Sequence, residues 1–68
     1  MTDELHRQPQ FKVGDYVVVT GPGHYRNNEG VVTEVIQPTA GDYVYRYRVL
    51  FPDRRSATFF GFELTIKK

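Results

Sequence analysis

Among 68 residues there is no cysteine, so a disulfide framework, a thiolate zinc site, a cysteine nucleophile and thiol redox chemistry are all excluded. No apolar run approaches the roughly 20 residues that span a bilayer, and Met1 to Gln10 (MTDELHRQPQ) lack an apolar stretch of signal-peptide length. The expectation is a soluble, cytoplasmic protein that does not engage a membrane. An excess of one charge is missing too. Nine Lys and Arg face eight Asp and Glu for a formal +1, far from the one-signed field of a strong nucleic-acid or membrane-surface binder. Groups for catalysis are scarce: His6 and His24 lie eighteen positions apart, and Ser56 is the only serine. Nothing pairs them at the spacing of an acid–base or nucleophilic constellation, and two histidines so placed make no metal site. Neither a catalytic residue nor a cofactor is expected.

What is present points to a small folded domain. Hydrophobic residues make up 40% of the chain, with five Tyr and five Phe, which is too apolar for a disordered segment. A domain of this size buries only roughly 60% of its unfolded surface. Residues 1–10 show no periodicity and are read as a disordered, flexible tail, with one domain over 11–68. From Phe11 onward, β-branched and aromatic residues come in short runs punctuated by Gly, Pro, Asn and Asp, the pattern of strands and turns. The runs are Tyr16 to Thr20, Gly30 to Ile36, Tyr43 to Phe51, Ser56 to Phe60 and Leu64 to Ile66. The third alternates cleanly. Tyr43, Tyr45, Tyr47, Val49 and Phe51 share one face, and Val44, Arg46, Arg48 and Leu50 the other. Gly21-Pro22-Gly23 leads toward a strand rather than a helix, so it reads as a turn and not as a phosphate cradle. Five short strands without a helix must hide their edges, and a bent sheet closed into a small barrel does so economically. Gly14, Gly30 and Gly61 fall where such bends or close strand approaches are needed.

Phe11-Lys12-Val13-Gly14-Asp15-Tyr16-Val17, Gly30-Val31-Val32-Thr33-Glu34-Val35, Tyr47-Arg48-Val49-Leu50-Phe51 and a late Phe62-Glu63-Leu64 together resemble the SH3-like β-barrel superfamily, and within it KOW-type modules. The likeness covers most of residues 11–66. It implies an all-β, five-stranded SH3-like barrel whose last strand follows a one-turn 3₁₀ segment. The Gly-Asp-x-Val opening and the loop Gly23 to Gly30 are also similar to the small barrel proteins that help ferredoxin dock, namely the one found in photosystem I and the variable chain of ferredoxin:thioredoxin reductase. Type II dihydrofolate reductase offers a further precedent, an oligomeric enzyme with its site between subunits. Its Val-Gln-Ile-Tyr segment would fall near Ala57 to Phe60, where this chain has Ala-Thr-Phe-Phe. Such barrels serve many functions, so the fold does not fix the activity.

The net charge conceals an asymmetry. Residues 1–34 carry three basic and five acidic groups, residues 35–68 six and three. Arg46 and Arg48 lie two apart on one strand, hence on one face, and Arg54 and Arg55 follow in the adjoining turn. Arginine forks suit carboxylates and phosphates alike. Tyr25, between His24 and Arg26 in the first loop, is a candidate anchor of the aromatic-plus-cation kind common at interfaces. The expected function is a non-catalytic interaction module that docks an acidic protein or sits in a larger complex, through His24, Tyr25, Arg26, Arg46, Arg48, Arg54 and Arg55. A KOW-like module binding RNA or DNA with the same residues is the alternative. Plainer readings stand beside both: the arginines as the solvated face of an edge strand, and Tyr25 packed back on the domain.

Overall fold

The computed structural model describes residues 9–39, 41 and 44–68. The tail expectation therefore falls largely outside the described residues, as does Tyr43. Strands β1 (Tyr16–Val19), β2 (Glu29–Ile36), β3 (Arg46–Leu50), β4 (Ser56–Phe60) and β5 (Leu64–Ile66) form one antiparallel sheet, and a 3₁₀ turn, Gly61–Glu63, joins the last two. The domain is all-β, and its arrangement is compatible with an SH3-like fold. Among the described residues no helix is long and apolar enough to cross a membrane.

The chain enters β1 through a hydrogen-bonded turn. The Asp15 N–H donates to the Lys12 carbonyl at 3.0 Å, and Gly14 sits at φ 98°, the third-position geometry of a type II turn that glycine adopts without strain. The Lys12 N–H and ammonium donate to the Asp15 carboxylate at 3.0 and 3.1 Å. Together they hold its pKa below the ordinary 3.8, the backbone donor contributing most.

The core lies on one side of the sheet. Phe11, Val17, Val19, Val32, Tyr47, Val49, Phe51, Phe59 and Leu64 are buried, with Tyr25, Val35, Tyr45 and Ala57 packed against them. The face read from the alternation of the third strand is the buried one, and Arg48 and Leu50 face outward. Tyr47, fully buried, accepts a hydrogen bond from the Gln10 N–H at 2.8 Å on its phenolic oxygen and meets Phe11 edge-on at 5.2 Å. That satisfies the single polar atom the core contains at this point. Gly30 is required by contact: a Cβ there would lie 2.6 Å from the Leu50 carbonyl oxygen and 2.6 Å from a Val49 methyl. β2 also carries a bulge between Val32 and Glu34, which turns Glu34 to the outer face opposite Arg48.

The expected closed barrel is not formed. The strand order is β4-β3-β2-β1-β5, so the hydrogen-bonded ladder ends at β4 on one side and β5 on the other. The reason lies at the corner. The Glu63 carbonyl accepts from Thr20 and Gly21 at 2.7 and 3.2 Å, and the Glu63 carboxylate takes the Phe60 N–H at 2.9 Å. Glu63 thus ties the 3₁₀ turn to the end of β1 through its carbonyl and occupies the last outward N–H of β4 through its carboxylate, and the sheet curls over its core without a β4–β5 ladder.

Candidate functional site

In this meander the β1–β2 loop and the β3–β4 turn lie at the same end of the sheet. The loop is pinned by reciprocal bonds, Val19 N–H to Asn28 O at 2.9 Å and Asn27 N–H to Val19 O at 2.8 Å. Asn27 adopts φ 72°, a left-handed conformation that asparagine tolerates. Within the loop Tyr25 folds back. Its ring stacks on Phe51 at 4.7 Å with only 5° between planes and meets Phe59 edge-on at 5.9 Å. Half-buried, it anchors the loop to the core and leaves His24 and Arg26 exposed on either side.

The turn that follows β3 runs Phe51-Pro52-Asp53-Arg54-Arg55. Phe51 N–H bonds Arg55 O at 2.8 Å, Arg54 N–H bonds Phe51 O at 2.9 Å, and the Asp53 carboxylate accepts from Arg55 N–H at 3.0 Å. Arg54 sits at φ 75°, where glycine or asparagine is the easy choice and any other L residue costs on the order of 1 kcal/mol. Arg54 lines an open depression of about 370 Å³ together with Tyr16, Glu29, Val31, Leu50, Phe51 and Pro52. A second depression of about 420 Å³, bordered by Asn27, Asn28 and Asp53, shares Glu29, Phe51 and Pro52 with the first. The two form one groove.

Cross-strand register explains the apolar floor: Tyr16 pairs with Val31 and Val31 with Leu50, so three apolar side chains cross the outer face in a row. Tyr16 is 63% and Leu50 40% exposed. Charge around the groove is unbalanced. Among the described residues, Asp15, Glu29, Glu34 and Asp53 are paired with Lys12, Lys67, Arg48 and Arg55 at 3.1, 2.8, 3.0 and 3.7 Å. The Glu63 carboxylate accepts from backbone. Arg26 and Arg54 have no carboxylate within 4 Å among the described residues, and both are exposed at this end.

The structure therefore divides the seven sequence-derived residues. His24, Tyr25, Arg26, Arg54 and Arg55 gather at the loop–turn end. Arg46 and Arg48 share the outer face of β3 as expected, but Arg46 lies at the opposite end of the strand, its guanidinium 5.2 Å from the Phe60 ring centre. Arg48 is neutralised by Glu34. A second aromatic feature sits beside Arg46: Phe62, 77% exposed, stacks on Phe60 at 5.4 Å and 8°. Sequence reading did not find Phe62, which lies between strands where alternation has no meaning. It did place Leu50 on the arginine face, and an apolar residue there was the available sign of the groove. Among the described residues no cluster of three His, Asp or Glu could hold a metal.

Comparison with family models, with curated proteins and with solved structures found no match.

Proposed function

We propose that the chain is a non-catalytic interaction module of SH3-like, KOW-type fold, working in the cytoplasm, and that its groove docks an acidic, apolar-bearing segment of a protein partner. The observation that carries this is Arg54: a cation without a carboxylate partner among the described residues, held in a left-handed backbone conformation on the lip of an apolar groove. A glycine would suit that backbone better, so the position favours something other than turn stability. Tyr16, Val31 and Leu50 supply apolar area, while Arg54 and Arg26 supply bidentate donors for carboxylates. Tyr25 contributes by fixing the loop that carries His24 and Arg26, a more indirect part than an exposed anchor would play.

The test is fluorescence anisotropy with a labelled peptide in which Leu and Phe alternate with Glu, against a Gln-for-Glu control. The Glu peptide should bind more tightly, and Arg54→Glu and Arg26→Glu should each weaken it about tenfold, corresponding to about 1.4 kcal/mol. Equal binding of the two peptides would contradict the reading.

The stacked Phe60–Phe62 pair beside Arg46 favours a second reading, a single-stranded RNA or DNA module, because bases stack on exposed aromatic rings and phosphates pair with arginine. Its mark is steep salt dependence. A labelled oligonucleotide that shows no binding at low salt removes it.

A further inference from the structure

We infer that β4 is a self-association edge, through which two copies of this chain join antiparallel, β4 to β4, about a two-fold axis at Thr58. Phe51 and Arg55 form a hydrogen-bonded pair across the turn. Antiparallel alternation then makes Val49 with Ala57 and Tyr47 with Phe59 the bonded pairs of the β3–β4 ladder. The N–H and C=O groups of Ser56 and Thr58 consequently point away from β3, along the open edge.

Edges of this kind are ordinarily blunted by charge, proline or a bulge. β5 is followed directly by Lys67 and Lys68, the first of them bonded to Glu29 at 2.8 Å. β4 reads Ser-Ala-Thr-Phe-Phe, with no charge, proline or glycine, and its pairing with β3 runs without a register shift. Among the described residues it is the unguarded edge.

Its symmetry selects the occupant. With the axis at Thr58, the middle residue of the strand, the two Thr58 residues exchange both backbone bonds, and each Ser56 N–H meets the Phe60 carbonyl of the second copy. The Phe60 N–H, already held by the Glu63 carboxylate at 2.9 Å, ends the ladder there. The same register brings the cationic turn that precedes β4, Arg54 and Arg55, alongside Phe62 and Glu63 of the second copy, and Phe62 is the most exposed large apolar side chain among the described residues. Cation meets aromatic ring and carboxylate at both ends. A parallel pairing would set arginine against arginine. Thr58 lines neither depression of the groove, so this inference stands apart from the proposed docking function.

The contact is short, below the roughly 1,200 Å² of standard interfaces, so association belongs at about 0.1–1 mM chain rather than at nanomolar concentration. Sedimentation equilibrium over that range tests it with wild type, Thr58→Pro, Thr58→Glu and Thr65→Lys. Proline removes an N–H that faces the open edge and leaves the β3 ladder intact. Glutamate at 58 has Arg48 as its cross-strand neighbour within the monomer but opposes its own copy across the axis. The wild type should dimerise in a concentration-dependent way, at least tenfold more weakly with either Thr58 substitution and equally well with Thr65→Lys on the opposite edge. A wild type that stays monomeric, or a dimer indifferent to Thr58→Glu, overturns it; should Thr58→Pro fail to fold, Thr58→Glu decides.

Discussion

Gly30 and Asp15 show how differently two residues in strands and turns are constrained. At Gly30 the constraint is steric: its missing Cβ leaves room for the Leu50 carbonyl and the Val49 side chain. Gly30→Ala would drive a methyl into backbone and should destabilise the domain by about 2–3 kcal/mol, read as a lower urea midpoint at unchanged slope. At Asp15 the constraint is electrostatic. Its pKa is lowered in the fold by the Lys12 backbone N–H and then by the Lys12 ammonium, so its contribution is present above the unfolded value and is lost as pH falls through the folded one. Asp15→Asn should therefore flatten the stability profile below about pH 4 and leave its shape near neutrality unchanged; melting temperatures from pH 2 to 7 would show it. That glycines would serve at bends and close approaches was readable from sequence. Which glycine did which was not, because that depends on the partner strand.

Elements were legible where local chemistry decided them. Ser56–Phe60 and Leu64–Ile66 match the expected spans, since Pro52 and Asp53 before β4 and Gly61 after it punctuate the chain; the intervening 3₁₀ turn was expected from the resemblance alone. The β2 bulge was not legible: the run Gly-Val-Val-Thr-Glu-Val-Ile gives no local sign that Thr33 is the extra residue, yet the bulge carries Glu34 round to Arg48 and so removes Arg48 from the available cations. Tyr25 was equally undecidable, because stacking on Phe51 is a contact between loops 26 positions apart. The β3–β4 turn yields the sharpest prediction at this scale. Arg54→Gly should relax the φ 75° backbone and stabilise the domain by about 1 kcal/mol, while weakening the acidic peptide as much as Arg54→Glu or nearly so. Loss of both stability and binding would mean that the arginine serves the turn.

At the scale of the whole molecule, composition was informative about class and misleading about surface. A +1 balance resembles an inert, well-mixed exterior, but folding assigns the charges unequally. The described carboxylates are each held by a cation or by backbone, and among the described residues Arg26 and Arg54 are left uncompensated at one end. The all-β architecture followed from strand-forming runs without helical periodicity; its open edge did not, since whether β4 and β5 pair depends on contacts between strands and not on the local runs. The most direct test of groove docking is an NMR titration of ¹⁵N-labelled chain with the Glu-containing peptide, following backbone amides residue by residue. Docking in the groove predicts shifts concentrated at Tyr16, Val31, Leu50 and Arg54 and in the loop around Arg26, with Arg46 and Phe62 little affected. Shifts centred on Arg46, Phe60 and Phe62 instead, or none anywhere, would contradict it.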